Sequence, residues 1–440
     1  MIGQGDLMAK SDEIMEGVFA GLGSPSELRA WQAQRHPAVA VETNSHIHIP
    51  PNFSAFKSVE QAVALAKEQG IRVLGSSNYY EFSVYRQFAG HCAERGVFPL
   101  FGLEVIMFDE GLARGGVRLN DTKNPGKMYL CGKGLSRFLE PTIEAARKLG
   151  EIKAKDEGRA REMIRRLNEY FKEHGVAVEV AYEDVAKAVA ARYGVAPETV
   201  CLQERHLAEA YQRELFSLVP PGERQDGLTG LLGAVPRSVD HPVMVQEDIR
   251  THLMKTGRPG YVEEEFITFE AARRLIAELG GVACYPVLID ETIPLSEFEA
   301  SPEGLAAELR AMDIYLAEFI PGRSALDVLT RYVEHLRGCG MAVTCGTEHN
   351  TTKLGPLAPF CAGGVPLTEE LKGYFWEGAC VVAAHQYLRL RGENGYVDPE
   401  GGPALRQGER EERIREFASL GEAVIREYWE RCEEEGVSKR

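Results

Sequence analysis

The chain lacks three things: an apolar run approaching the about 20 residues that a membrane-crossing helix needs, an excess of basic residues, and any cysteine pair at Cys-x-x-Cys spacing. Each absence removes a class of protein. Without such a run there is no candidate membrane span, and the segment from Met1 to Ser11 lacks the apolar core of a signal peptide, so a cytoplasmic protein without membrane attachment is expected. The 66 acidic and 50 basic residues give a net charge of -16, which excludes a general nucleic-acid surface because phosphate backbones require a basic footprint. A small basic pocket is still compatible with that total. The nine cysteines are scattered and odd in number, which fits reduced thiols rather than a disulfide framework or a zinc ribbon. A nucleotide phosphate loop is also missing, because Gly132-Lys133-Gly134 has neither the preceding glycine nor the following Ser or Thr at the required spacing.

What is present begins with His46-Ile47-His48, just after the apolar run Val39-Ala40-Val41. Residues two apart in an extended segment project to one face, so both imidazoles can grip one cation. A His-x-His is a weak signal by itself. It gains weight from Gly102-Leu103-Glu104 and Gly346-Thr347-Glu348-His349, which follow the strand-like runs Val97 to Phe101 and Met341 to Thr344. Three strand ends carrying metal-type ligands predict a parallel barrel with its chemistry at the C-terminal rim.

The rest of the chain alternates in the same way. Helical spacing over Val59 to Gln69, a strand over Ile71 to Gly75, a helix over Val84 to Arg95 and the strand at Val97 predict βαβαβ. From about Leu135 to Leu218 the pattern changes to charged helices, Ala160 to His174, Tyr182 to Tyr193 and Glu204 to Phe216, read as an insertion on one rim. Alternation then resumes with a helix over Phe269 to Leu279, a strand over Val282 to Tyr285, a helix over 302 to 312, a strand over Ile314 to Ile320, a helix over Ala325 to Arg337 and the strand at Met341. The stretch Glu377 to His385 reads as a strand or a buried helix, with His385 more readily a core histidine than a ligand. The linker-like segment 393 to 407 leads to a charged terminal helix, 409 to 434, whose stripe of Phe417, Leu420, Val424, Ile425 and Trp429 suits packing on the barrel, or a homo-oligomer contact as the alternative.

These motifs, taken in order, resemble the PHP (polymerase and histidinol phosphatase) superfamily. The resemblance is carried by Asn44-Ser45-His46-Ile47-His48, Gly70 to Tyr79, Gly102-Leu103-Glu104, Gly280 to Pro286 and Gly346 to Asn350, and covers residues 40 to 352. The segments Arg165 to Asn168, Glu204 to Ala208 and Lys255 to Val262 are similar to the helical insert and basic loop of PHP-type nucleotide and oligonucleotide phosphoesterases. The resemblance implies an α/β fold, a distorted (β/α)7 TIM-like barrel with a helical insertion and a C-terminal helical extension. The implied layout is a helical lead-in over 1–38, barrel over 39–134, insertion over 135–250, barrel over 251–392, and linker with terminal helix over 393–440.

It further implies up to three divalent ions at the strand ends. By position, His46, His48, Glu104 and Glu348 would form the first metal site. Tyr79 and Tyr285 replace histidines of the other sites, Asn350 replaces a third, and Asn78 replaces an aspartate. Phenol and amide are poor substitutes for imidazole on a zinc-like cation. One ion of zinc, manganese or iron is therefore expected, two at most. His349 and Tyr285 are the candidate catalytic groups, while Lys255, Arg258, Arg205, His206, Asn78 and Tyr79 are candidates for binding a small anionic substrate. The expected activity is metal-dependent hydrolysis of a small phosphorylated or otherwise anionic compound by an activated water. A mononuclear sugar or sugar-acid isomerase or lyase, and a non-catalytic metal-binding PHP module, are the alternatives.

Overall fold

The computed structural model describes residues 19, 21–35, 40–289, 296–402 and 410–438. Seven strands form one sheet in chain order: β1 (Thr43–Ile47), β2 (Val73–Ser76), β3 (Phe98–Phe108), β4 (Lys127–Lys133), β5 (Val282–Val287), β6 (Leu316–Phe319) and β7 (Ala342–Cys345). All neighbours pair in parallel except β4, which runs antiparallel to both β3 and β5. The ends curl together: the amides of Thr347 and Glu348 donate to the His46 carbonyl at 3.0 and 2.9 Å, and His48 N donates to the Glu348 carbonyl at 2.7 Å. This closes a distorted TIM-like barrel, the architecture that the resemblance implies. Gly346 lies at the seam because a Cβ there would collide with the His46 side chain.

Helices cover the outside. In chain order they are α1 (Pro25–Ala33), α2 (Val59–Glu68), α3 (Tyr85–Arg95), α4 (Glu110–Arg114), α5 (Ile143–Glu173), α6 (Tyr182–Tyr193), α7 (Glu204–Leu218), α8 (Arg224–Leu232), α9 (Pro242–Ile249), α10 (Phe269–Glu278), α11 (Pro302–Ala311), α12 (Leu326–Gly338), α13 (Glu369–Leu390) and α14 (Arg410–Ser438). Side-chain caps start several of them: Ser58 accepts from Gln61 N, Thr268 from Ala271 N and Ser301 from Gly304 N. None of the described helices is long and apolar enough to cross a membrane.

One feature differs from the sequence expectation, and one alternative left open there is decided in favour of the buried helix. β3 does not stop at Phe101 but runs through Glu104 to Phe108, because antiparallel β4 supplies partners for its second half, pairing Gly102 with Lys133 and Phe108 with Lys127. The stretch ending at His385 lies inside α13, a helix buried over most of its length. His385 Nε2 donates to the Gly280 carbonyl at 3.0 Å and Nδ1 accepts from Tyr396 N at 3.0 Å, so both ring nitrogens hold the core together. The parts of the helical lead-in at 1–18, 20 and 36–38, Val39, the linker at 403–407 and the helix start at 409 fall outside the described residues.

The insertion has its own apolar core, running from Ala160 through Leu207 and Tyr211 to Met254, separate from the barrel core. α14 buries Phe417, Leu420, Val424 and Ile425 within the barrel's own hydrophobic cluster, and Trp429 stacks on Trp376 of α13 at 6.1 Å between ring centroids.

Candidate metal centre

The alternation of β1 turns His46 toward the barrel interior, and His48 follows it just past the strand end. Their Nε2 atoms lie 3.3 Å apart. Glu104 projects from β3 to the same point, with Oε2 at 2.9 Å from His48 Nε2 and 3.5 Å from His46 Nε2. All three residues are buried. Metal–nitrogen distances of about 2.0–2.1 Å in a tetrahedral zinc site place ligand atoms about 3.3 Å from one another. The three separations straddle that value, so these side chains fit a single divalent ion without rearrangement.

The support beneath them is as specific. His46 Nδ1 lies 2.5 Å from Glu318 Oε2, on β6, which fixes the ring with its Nε2 toward His48 and Glu104. Lys133 Nζ, on β4, lies 2.8 Å from the same Glu318 oxygen, and Thr344 Oγ1 donates to the other at 3.3 Å. Burial and the Lys133 ammonium disfavour a charged His46, but Glu318 and Cys131 outweigh them and raise its pKa well above the ordinary histidine value. Burial likewise opposes charge on Glu104, yet hydrogen bonds from His46 and His48 hold its carboxyl far below the usual carboxylate range. The pocket therefore attracts positive charge, whether proton or metal. Two phenols face it: Tyr79 stacks on His48 at 4.9 Å, and burial followed by nearby carboxylates, Glu104 among them, raises both Tyr79 and Tyr129 well above the usual tyrosine value.

Glu348 is placed differently from the sequence expectation. Its backbone, at φ 61°, seals the barrel, while its carboxylate turns to Arg323, 2.7 Å away, and does not join the described group of His46, His48 and Glu104. His349 is also committed: Nδ1 accepts from Thr347 Oγ1 at 2.8 Å, Nε2 donates to the Gly355 carbonyl at 3.0 Å, and the ring stacks on Phe56 at 4.9 Å. With both nitrogens occupied it buttresses the loop and is not positioned as a base. Tyr285 points away from the centre. Its strand neighbour Cys284 is the one near Lys133 and Glu318, whereas the Tyr285 ring packs on Phe298 beside the buried Glu299 carboxylate.

Among the expected substrate contacts, Asn78 is structural: its amide pairs with Ile49, accepting from N at 2.8 Å and donating to O at 2.9 Å. His206 is buried and accepts from Gln203 N at 3.0 Å, capping its own helix, and burial lowers its pKa to about 4. Arg258 sits exposed on the turn after Lys255 and does not line the cleft described next. Tyr79, Arg205 and Lys255 do line it: a cleft of about 380 Å³ between the barrel mouth and the insertion, with Lys127, Arg159 and Arg250 also on its walls. Each of these cations is paired: Lys255 and Arg159 with Glu204, at 2.5 and 2.8 Å, Arg205 and Arg250 with Glu247, and Lys127 with Glu264 at 2.7 Å and Asp121 at 3.7 Å. Asp156, on the same wall, is pushed up to about 6 by burial.

Glu318, Tyr129 and Asp156 escaped the sequence reading. Glu318 carried a usable signal, a lone carboxylate inside the apolar run Ile314 to Ile320. Tyr129 and Asp156 had none, since their places follow from the antiparallel β4 and from the packing of the insertion.

A comparison with family models finds no match, and neither does a comparison with curated proteins. Solved structures similar in fold include an amidohydrolase from Chromobacterium violaceum with bound sulfate and no metal, at 18% identity and a TM-score of 0.47, covering 76% of this chain and 96% of that one. Another is described as a metal-dependent phosphoesterase from Bifidobacterium adolescentis, at 14% identity and a TM-score of 0.49, covering 77% of this chain and 96% of that one. The likeness is loose and concerns the fold.

Proposed function

We propose that the chain is a PHP-type metal-dependent hydrolase with one divalent ion, acting on a small phosphorylated or otherwise anionic substrate. The observation that carries this reading is the convergence of His46 Nε2, His48 Nε2 and Glu104 Oε2 at the barrel mouth, next to a cation-lined cleft. A bound divalent ion would lower the pKa of a coordinated water to about 7 and so supply a hydroxide nucleophile at neutral pH. The residues of the chain do the remainder. Glu318 holds the His46 ring in place, Arg205 and Lys255 attract the substrate anion, and the Tyr79 phenol covers His48 and limits solvent access. Asp156, raised to about 6 by burial on the cleft wall, would be the group there to exchange a proton with a bound ligand.

A mononuclear isomerase or lyase is the second reading, favoured by the Tyr79 and Tyr129 phenols beside Glu104, which could donate a proton to a substrate oxygen. One experiment separates the two. Metal content per chain is measured by plasma mass spectrometry for wild type and His46→Ala, and the metal-loaded protein is screened on phosphate esters, other hydrolysable anions and sugar acids. One ion, lost in the variant, with release of phosphate or another hydrolytic product supports the hydrolase. One ion with interconversion of sugar acids and no hydrolysis supports the second reading. A wild type without metal removes both.

A further inference from the structure

Below the candidate centre lies a second set of metal-type donors that the proposed reaction does not use. His46 Nδ1, Cys131 Sγ and a Glu318 oxygen lie within 4.8 Å of one another and are buried. A cation of the chain's own already occupies this region. Lys133 Nζ lies 2.8 Å from Glu318 Oε2 and donates to the Ser45 carbonyl at 2.9 Å and the Ser77 hydroxyl at 3.0 Å. An ammonium has three N–H donors, and here each has an oxygen acceptor.

We propose that Lys133 is a tethered cation that holds the place of a second metal ion, so that the barrel is built to take one ion. β4 brings this about through its alternation, which puts Cys131 and Lys133 on the same interior face. A divalent ion on Glu318 and Cys131 would have to sit against the ammonium in a low-dielectric interior, where like charges repel far more strongly than in water. It would also compete for the Glu318 oxygen that lies 2.5 Å from His46 Nδ1. The tethered charge keeps Glu318 ionised and oriented, but unlike a metal it cannot bind and activate a water. Removing it would expose a carboxylate, a thiol, a carbonyl and a hydroxyl around a space the size of a lysine head group, a donor set suited to zinc or cadmium.

The inference rests on the reading of His46, His48 and Glu104 as a metal centre, and the test keeps the two apart. Full-length wild type, Lys133→Ala and Lys133→Ala/Cys131→Ser are equilibrated with zinc, desalted and analysed for metal per chain. About one, two and one equivalents are expected. Cadmium-loaded Lys133→Ala should add an ultraviolet thiolate-to-cadmium charge-transfer band that the double variant lacks. One equivalent in both wild type and Lys133→Ala overturns the tethered-cation proposal and leaves the centre intact. Two in wild type overturns it as well, because the ammonium would not be excluding an ion. None in wild type removes the centre and the proposal together. Circular dichroism with and without zinc covers a folding defect: Lys133→Ala that folds only with zinc supports the proposal, and failure to fold in either condition overturns it.

Discussion

Two charged regions meet at the mouth of this barrel, and they differ in how each charge is balanced. In the centre, His46, Glu318 and Lys133 are at most 2% exposed, and each is held at a fixed distance by named partners. In the cleft, the Lys255 side chain is 50% exposed and shares Glu204 with Arg159. The lesson is one of cost. Breaking a buried pair leaves a charge that water cannot reach, whereas an exposed pair contributes about 0–1 kcal/mol to stability and leaves its cation able to exchange partners. The buried region is suited to fixing geometry, and the exposed one to meeting a ligand.

The sharpest way to break this contrast is at the ligands. His48→Ala or Glu104→Gln should reduce bound metal from about one equivalent to under about a tenth, read by plasma mass spectrometry, and abolish turnover. A Glu104→Gln protein that keeps both metal and activity would end the site assignment. Next in size is Glu318→Gln, which touches no ion directly. It should weaken metal binding by about 10–100-fold in a competitive chelator titration. It should also destabilise the fold by about 3–5 kcal/mol in urea unfolding, because Lys133 loses its buried counter-charge.

Cleft substitutions should behave differently. Lys255→Ala and Arg205→Ala should leave metal content and the unfolding midpoint nearly unchanged and raise KM for an anionic substrate by about 5–20-fold, consistent with the loss of one charge-assisted contact of about 1–2 kcal/mol. Equal loss of stability at both regions would erase the distinction drawn above.

The effect confined to the narrowest condition concerns pH. Burial depresses His206 from 6.5 to about 4, so the folded chain binds fewer protons at this position than the unfolded chain between those values. Its neutral ring therefore adds stability that is complete above pH 6.5 and is lost as pH falls toward 4, by about 3 kcal/mol at most. Wild type minus His206→Gln unfolding free energy should fall over that window; a flat difference would show that the buried histidine titrates normally.

Much of the barrel was legible in the sequence because its strands are short apolar runs set between amphipathic helices, as in Val59–Glu68 followed by Val73–Ser76. His46, His48 and Glu104 were legible for a related reason: polar residues at the ends of apolar runs stand out, and their order matches a known pattern. The direction of β4 was not legible, since Met128 to Cys131 is equally apolar read either way. With it went the reach of β3, and the position of Lys133 below the centre. Glu348 and His349 looked like chemistry by spacing, but spacing does not reveal that Arg323, Thr347 and Gly355 would claim their polar atoms. The role of Tyr285 failed on alternation: one residue along β5 separates the interior from the exterior, and Cys284 took the inward place.

The reversed β4 has a mechanical consequence as well. The chain leaves it at the base of the barrel, where Thr142 bonds Glu278 at the end of α10, and must return to the mouth in one span. α5 makes that span with 31 residues, about 46 Å of helix. Ala145, Leu149 and Ile152 are part of the barrel core, while Met163, Leu167 and Phe171 are part of the insertion core. A single rigid strut thus belongs to both bodies, so the insertion cannot swing as an independent flap: any tilt that widens the cleft must lever the same helix against the barrel wall.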